Sequence, residues 1–158
     1  MFPGDPAQHV RSLDVSPIEA ACELCAVPGG SVLWQSADCR VVRVDDPHYP
    51  GFCRVIWNAH VREMTDLPPA ERQQLLTVVF AVEEVVRRLF APDKINLASF
   101  GNVVPHLHWH IIPRWRDDRH FPEPVWGQVH RDDAGGRPLV ADEEVAGALA
   151  AALAKVNR

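Results

Sequence analysis

The sequence predicts an α+β fold: a mostly antiparallel sheet of about five strands, with one long helix and shorter helices. Two observations predict the sheet. Five short stretches rich in Val, Ile, Cys and Trp have strand character. The link between the second and third of them carries Pro and Gly and has no room for a crossover helix, which favours antiparallel neighbours. A third predicts the helix: apolar residues recur at three- and four-residue steps between Leu67 and Phe90.

Taken in order, residues 1–15 read as a loose tail with Pro3, Gly4 and Pro6. Ser16-Pro17 has the form of an N-cap followed by Pro at the first helical position, opening a short helix to Ala21. Cys22 and Cys25 form a C-x-x-C pair, and Pro28-Gly29-Gly30 marks a turn. Strands are expected at Ser31–Gln35, Cys39–Asp45 and Phe52–Trp57, the last two separated by Asp46-Pro47 and Tyr49-Pro50-Gly51. The long helix starts after Asp66, with Pro68, Pro69 and Glu71 suited to its first turn. Leu75, Leu76, Val79, Val82, Val86 and Leu89 give it one buried face, and Ala91-Pro92 ends it. Strands at Lys94–Phe100 and His106–Pro113 follow, with Gly101-Asn102 reading as a tight connection. Residues 116–137 are irregular and charged, and Ala141–Val156 is an Ala-rich terminal helix. The organisation expected is a tail (1–15), one domain (16–115), and an irregular segment plus helix packed on it (116–158).

Of the 158 residues, 47% are hydrophobic, enough for a real core. The formal net charge of −5, with both signs mixed along the chain, argues against a nucleic-acid polymer or an anionic membrane as partner. No apolar run approaches the roughly 20 residues of a membrane span. The first fifteen residues lack the apolar core of a secretory signal, so a cytoplasmic location is expected. Four cysteines at this length do not make a secreted disulfide scaffold.

The most informative stretch is His106-Leu107-His108-Trp109-His110-Ile111-Ile112. On a strand, alternate side chains share a face, so the three imidazoles would lie about 7 Å apart in turn along one side. Leu107, Trp109 and Ile111 would face the other way, onto a helix. Three histidines suit a buried face poorly, because each brings polar atoms that need partners. A solvated strand face, a metal site and covalent catalysis are the readings these residues allow. Imidazole is a good zinc ligand, and neutral imidazole is a competent nucleophile at pH 7.

The run Phe100–Arg114 resembles the signature of the histidine-triad (HIT) family: three alternating histidines, then two apolar residues. Val44-Asp45-Asp46-Pro47 followed by Pro50-Gly51-Phe52 is similar to that family's nucleotide-binding strand and turn. The resemblance covers roughly residues 20–115. It implies a HIT-like fold, a homodimer and a purine nucleotide or dinucleotide substrate. It makes His108 the nucleophile on the α-phosphorus, forming a nucleotidyl-histidine, with His110 orienting it and His106 completing the triad. Asn102 is implied as a donor to phosphate oxygens, and Asp45 as an acceptor from ribose hydroxyls. The chemistry needs no metal in principle. Dinucleoside polyphosphates and nucleoside phosphoramidates are the implied substrates. A metal-dependent hydrolase using the histidine cluster and a nucleotide-binding protein with little turnover are the alternatives.

The chain departs from the family pattern at one point. Many members place a fourth histidine directly after the turn, where Phe52 stands here; His48 lies four residues earlier. Cys22 and Cys25 have the spacing of half a zinc site. A branch of the superfamily that includes galactose-1-phosphate uridylyltransferase resembles this layout, and it implies a structural zinc on Cys22, Cys25, His60 and His106. Trp115 and Trp126 are expected to pack the irregular segment.

Overall fold

The computed structural model describes residues 21–156. The tail 1–15 and nearly all of the expected Ser16–Ala21 helix lie outside them. The elements are α1 (Glu23–Ala26), β1 (Ser31–Gln35), β2 (Cys39–Arg43), β3 (Cys53–Trp57), α2 (Pro69–Phe90), β4 (Lys94–Ala98), β5 (His108–Arg114) and α3 (Asp142–Val156). A short 3-10 turn, Met64–Asp66, precedes α2. The sheet runs β1-β2-β3-β5-β4, and every pairing is antiparallel.

The differences from expectation lie at element ends, and local hydrogen bonding explains them. β2 stops before Asp45 because the Asp46 amide turns back to the Val44 carbonyl at 3.0 Å. β5 starts at His108 rather than His106, because the His106 amide bonds back to Val104 O at 2.8 Å. The expected tight connection at Gly101-Asn102 is instead a loop over residues 99–107, anchored by Ser99 Oγ donating to His108 O at 2.7 Å. α1 is a single turn across the C-x-x-C pair, too short to leave a periodic signal.

Strand alternation divides the sheet into two faces. Cys39, Val41, Cys53, Val55, Trp57, Leu107 and Ile111 join the main core under α2 and α3, as the apolar half of the histidine strand predicts. Val42 and Ile56 lie on the opposite face, with Cys22 and Leu24. Register places His108 opposite Ile56 and His110 opposite Arg54, so the histidine pair rises from that second face.

α2 buries Leu75, Val78, Val79, Ala81, Val82, Val85, Val86 and Phe90. It starts on Pro69, and its C-cap Ala91 is left-handed, with its amide bonded to Arg87 O at 3.1 Å. Phe90 packs against the β2–β3 turn. Gly51 has φ +88° there, and any Cβ would meet the Phe90 ring at 2.7 Å, so only glycine fits. α3 buries Val145, Leu149 and Leu153 against α2 and β1. Arg43 ties its start by bonding Asp142 at 2.8 Å and Val140 O at 2.7 Å.

Asp118 holds the irregular segment to the sheet. Its buried carboxylate accepts from Arg114 Nε (2.8 Å) and Nη2 (3.0 Å), from the Tyr49 hydroxyl (3.1 Å), and from the amides of Trp115, His120 and Phe121. Burial alone would raise the Asp118 pKa. The Arg114 hydrogen bonds and the surrounding amides outweigh that and hold it at about 2. Arg114 extends the knot to Asn96 Oδ1 and Glu123 O, both at 2.7 Å.

Candidate active site

The site begins with one short hydrogen bond. His108 Nδ1 lies 2.6 Å from the His106 carbonyl, which can only accept, so Nδ1 carries the proton and Nε2 keeps its lone pair. Burial, opposed by that hydrogen bond, leaves the His108 pKa below its ordinary value, so the ring is neutral at pH 7. His110 follows on the same face, its ring edge-on to His108 with centroids 4.7 Å apart. Burial, with smaller repulsions from His108 and Arg54, pushes the His110 pKa down to about 3. Its Nδ1 is buried with no hydrogen-bond partner.

Both rings line a cavity of about 720 Å³, together with Glu23, Leu24, Arg54, Phe100, Asn102, Glu123 and Trp126 among others. That volume suits a nucleotide. Smaller clefts of about 460 and 540 Å³ lie between α2 and α3 and beside β4, and neither is lined by a triad histidine.

His106 stands apart from the other two. Its Nε2–H donates to Trp57 O at 2.6 Å, and its Nδ1 lies 3.4 Å from Cys22 Sγ and 3.5 Å from Cys25 Sγ. His60 Nδ1 lies 3.4 Å from Cys25 Sγ. The ligand atoms of these four residues fall within 4.8 Å of one another, so Cys22, Cys25, His60 and His106 could hold a metal ion. Arg40 braces the loop that presents the thiols, donating to Leu24 O (2.6 Å), Pro28 O (2.9 Å) and Asn58 Oδ1 (3.0 Å).

The other expected residues divide. Asn102 lines the cavity. Asp45 is exposed just beyond β2 and is not among the lining residues. Phe52 is buried against His110, centroids 5.7 Å apart. His48 is turned to Asp133, 3.0 Å from Nδ1, and to Arg119, 2.7 Å from Nε2, so it does not stand in for a fourth histidine. Trp115 is buried and packs under Arg137, as expected. Trp126 differs from expectation: it walls the cavity, 5.0 Å from the His110 ring and 5.3 Å from Phe100. It reaches the site because the Asp118 knot folds the irregular segment back over β5.

Arg54, Glu123 and Asp118 were not singled out from sequence. Arg54 did leave a signal, as a charge inside the otherwise apolar run Cys53–Trp57, at the parity that faces the histidines. Glu123 and Asp118 lie in irregular chain, where no periodicity marks a facing direction.

The HIT domain family model matches residues 29–117, more than half of the chain. The chain belongs to the HIT family. A histidine triad protein from Marinobacter aquaeolei is 31% identical with a TM-score of 0.64, covering 84% of this chain and 94% of that one. A second, from Bradyrhizobium japonicum, is 29% identical with a TM-score of 0.61, covering 82% and 92%. Among curated proteins, the asymmetrical bis(5'-nucleosyl)-tetraphosphatase of Schizosaccharomyces pombe is 32% identical over 92 residues, 55% of this chain and 50% of that protein. An AP-4-A phosphorylase of Mycobacterium tuberculosis is 29% identical over 108 residues, 61% of this chain and 54% of that protein. This HIT chain thus spans about half the length of the curated relatives it matches.

Proposed function

We propose that this HIT protein is a nucleotide hydrolase or nucleotidyl transferase that works through a nucleotidyl-His108 intermediate. The observation that carries the reading is the His108 ring: neutral, its proton fixed on Nδ1 by the His106 carbonyl, its side chain on a nucleotide-sized cavity. His108 Nε2 attacks the α-phosphorus. The N–P bond forms as the bond from phosphorus to the leaving group breaks, and the leaving group departs with the electron pair. The ring gains positive charge, which the His106 carbonyl stabilises through Nδ1–H. Water then attacks phosphorus, the N–P bond breaks, and a proton passes to solvent. His110 and Asn102 face the same cavity and supply hydrogen bonds to phosphate oxygens as charge shifts. Asp45, exposed beyond the cavity, has no part in this scheme.

Dinucleoside polyphosphates are the first substrates to try, because the two curated relatives above are named for acting on them. With diadenosine tetraphosphate in ¹⁸O-labelled water, the label is expected in AMP and not in ATP. Label in the triphosphate would place attack away from the α-phosphorus and contradict the scheme.

The Cys22, Cys25, His60, His106 set is proposed as a structural zinc site. Two thiolates and two imidazoles match zinc's preferred donors. Tetrahedral zinc sets sulfur–nitrogen separations of roughly 3.5 Å, which the separations of 3.4 and 3.5 Å fit. The bond from His106 Nε2 to Trp57 O is the kind that fixes a ligating imidazole. Zinc here would pin α1 to the loop that leads into His108. About one zinc per chain is expected by elemental analysis of purified protein. Cys25→Ser should lose it and lower Tm by about 5–10 °C.

A homodimer and a cytoplasmic location complete the proposal. Phe80, half exposed on α2, and the edge strand β4 are surfaces a second copy would cover. No helix among the described residues is long and apolar enough to cross a membrane.

A further inference from the structure

We propose that Arg54 binds the leaving phosphates of the substrate and makes the site selective for polyphosphate over amine leaving groups. This rests on the nucleotidyl-His108 reading above and deepens it.

Arg54 projects from β3 beside His110, its register partner on β5, and lines the same cavity as His108 and His110. It is the one arginine or lysine among the lining residues, and the formal charges beside it are Glu23 and Glu123. Arg54 halves the formal negative charge of the lining and is its one positive group, so a polyphosphate has no other charged side chain there to bind. The guanidinium is also poorly partnered. Nη1 makes one long bond, 3.4 Å to Gly29 O, and Nε is buried with no hydrogen-bond partner. Its Cζ sits 6.0 Å from the centroid of the Phe52 ring, which holds it against the cavity wall. No carboxylate lies within ion-pair distance of it among the described residues. Arg54 is half-buried, and leaving its donors without acceptors there is costly unless a ligand supplies them. A phosphate group does so, since it matches the guanidinium fork with two parallel hydrogen bonds.

The consequence for selectivity follows from leaving-group chemistry. When His108 displaces a polyphosphate, the electron pair goes to a phosphate oxygen, which needs countercharge and no proton. When it displaces an amine from a phosphoramidate, the nitrogen needs a proton. The position where many HIT proteins place a fourth histidine holds Phe52, and His110 stays neutral far below pH 7. Arg54 meets the first need and cannot meet the second, because guanidinium does not give up its proton in a protein.

The test compares kcat/KM for diadenosine tetraphosphate and for an adenosine phosphoramidate in the wild-type protein, Arg54→Met and Arg54→Lys. Arg54→Met is expected to lower the tetraphosphate value on the order of 10²–10³-fold and the phosphoramidate value by no more than about tenfold. Arg54→Lys keeps charge without the fork and should fall between on the tetraphosphate. It also serves if the Met variant fails to fold. Equal losses on both substrates, or no loss on the tetraphosphate in a folded variant, would overturn the role of Arg54 while leaving nucleotidyl-His108 standing. A wild-type protein that releases AMP from neither substrate would overturn the catalytic reading itself, and this inference with it.

Discussion

Replacing His108 with alanine is expected to lower turnover of diadenosine tetraphosphate on the order of 10⁴-fold or more. The size follows from what is lost. Neither His106 nor His110 is placed to replace the nucleophile. His106 donates through Nε2 to Trp57 O and points Nδ1 at the two thiols. His110 lies beyond His108 on the same face, with its ring edge-on to it. Orientation and phosphate contacts alone leave a small residual rate. The same variant should fold, because the ring it loses borders a cavity and not the main core. Steady-state kinetics and a melting curve on one preparation check both halves. A rate within tenfold of wild type would remove His108 from the chemistry.

Replacing Asp118 with asparagine is expected to cost about 3–5 kcal/mol of stability, the loss typical when one partner of a buried ion pair is removed. Arg114 is 2% exposed and would keep a charge with its main counter-ion gone. The amides of Trp115, His120 and Phe121 and the Tyr49 hydroxyl would compete for a weaker acceptor. Acid gives an independent reading. The folded Asp118 pKa is about 2, below its ordinary 3.8. The stabilisation is therefore complete above pH 3.8 and is lost as pH falls through about 2. It amounts to about 2 kcal/mol. Urea unfolding between pH 7 and pH 2 should show this step in wild type and not in Asp118→Asn. A variant that loses under 1 kcal/mol and keeps the acid step would show that the knot is not the anchor. Because the same knot carries Trp126 to the cavity, its loss should also raise KM.

The strands were legible as short runs rich in Val and Ile between turn residues, as around Val41, Val55 and Ile111, and the long helix by its period, since Leu75, Val79, Val82 and Val86 follow helical steps. His108 and His110 were legible because strand parity puts them on one face. His106 shows where parity ends. It precedes the first residue of β5, and its ring is held by Trp57 O and the Cys22 and Cys25 thiols. Arg54 shares the parity of His110, but which residue stands opposite depends on strand order and register, which no single stretch encodes. Trp126 was missed for a different reason. It lies in irregular chain, and the Asp118 contacts that fold that chain back span residues from Tyr49 to Phe121.

The covalent intermediate is the most direct point of attack. The protein is mixed with diadenosine tetraphosphate, quenched within milliseconds under alkaline conditions that preserve a phosphorus–nitrogen bond, and digested for peptide mass analysis. One adenylyl group is expected on the peptide that carries residues 106–110, assigned to His108 by fragmentation and missing from His108→Ala. AMP released at full rate with the adenylyl group found on another residue, or on none at any quench time, would contradict catalysis through His108.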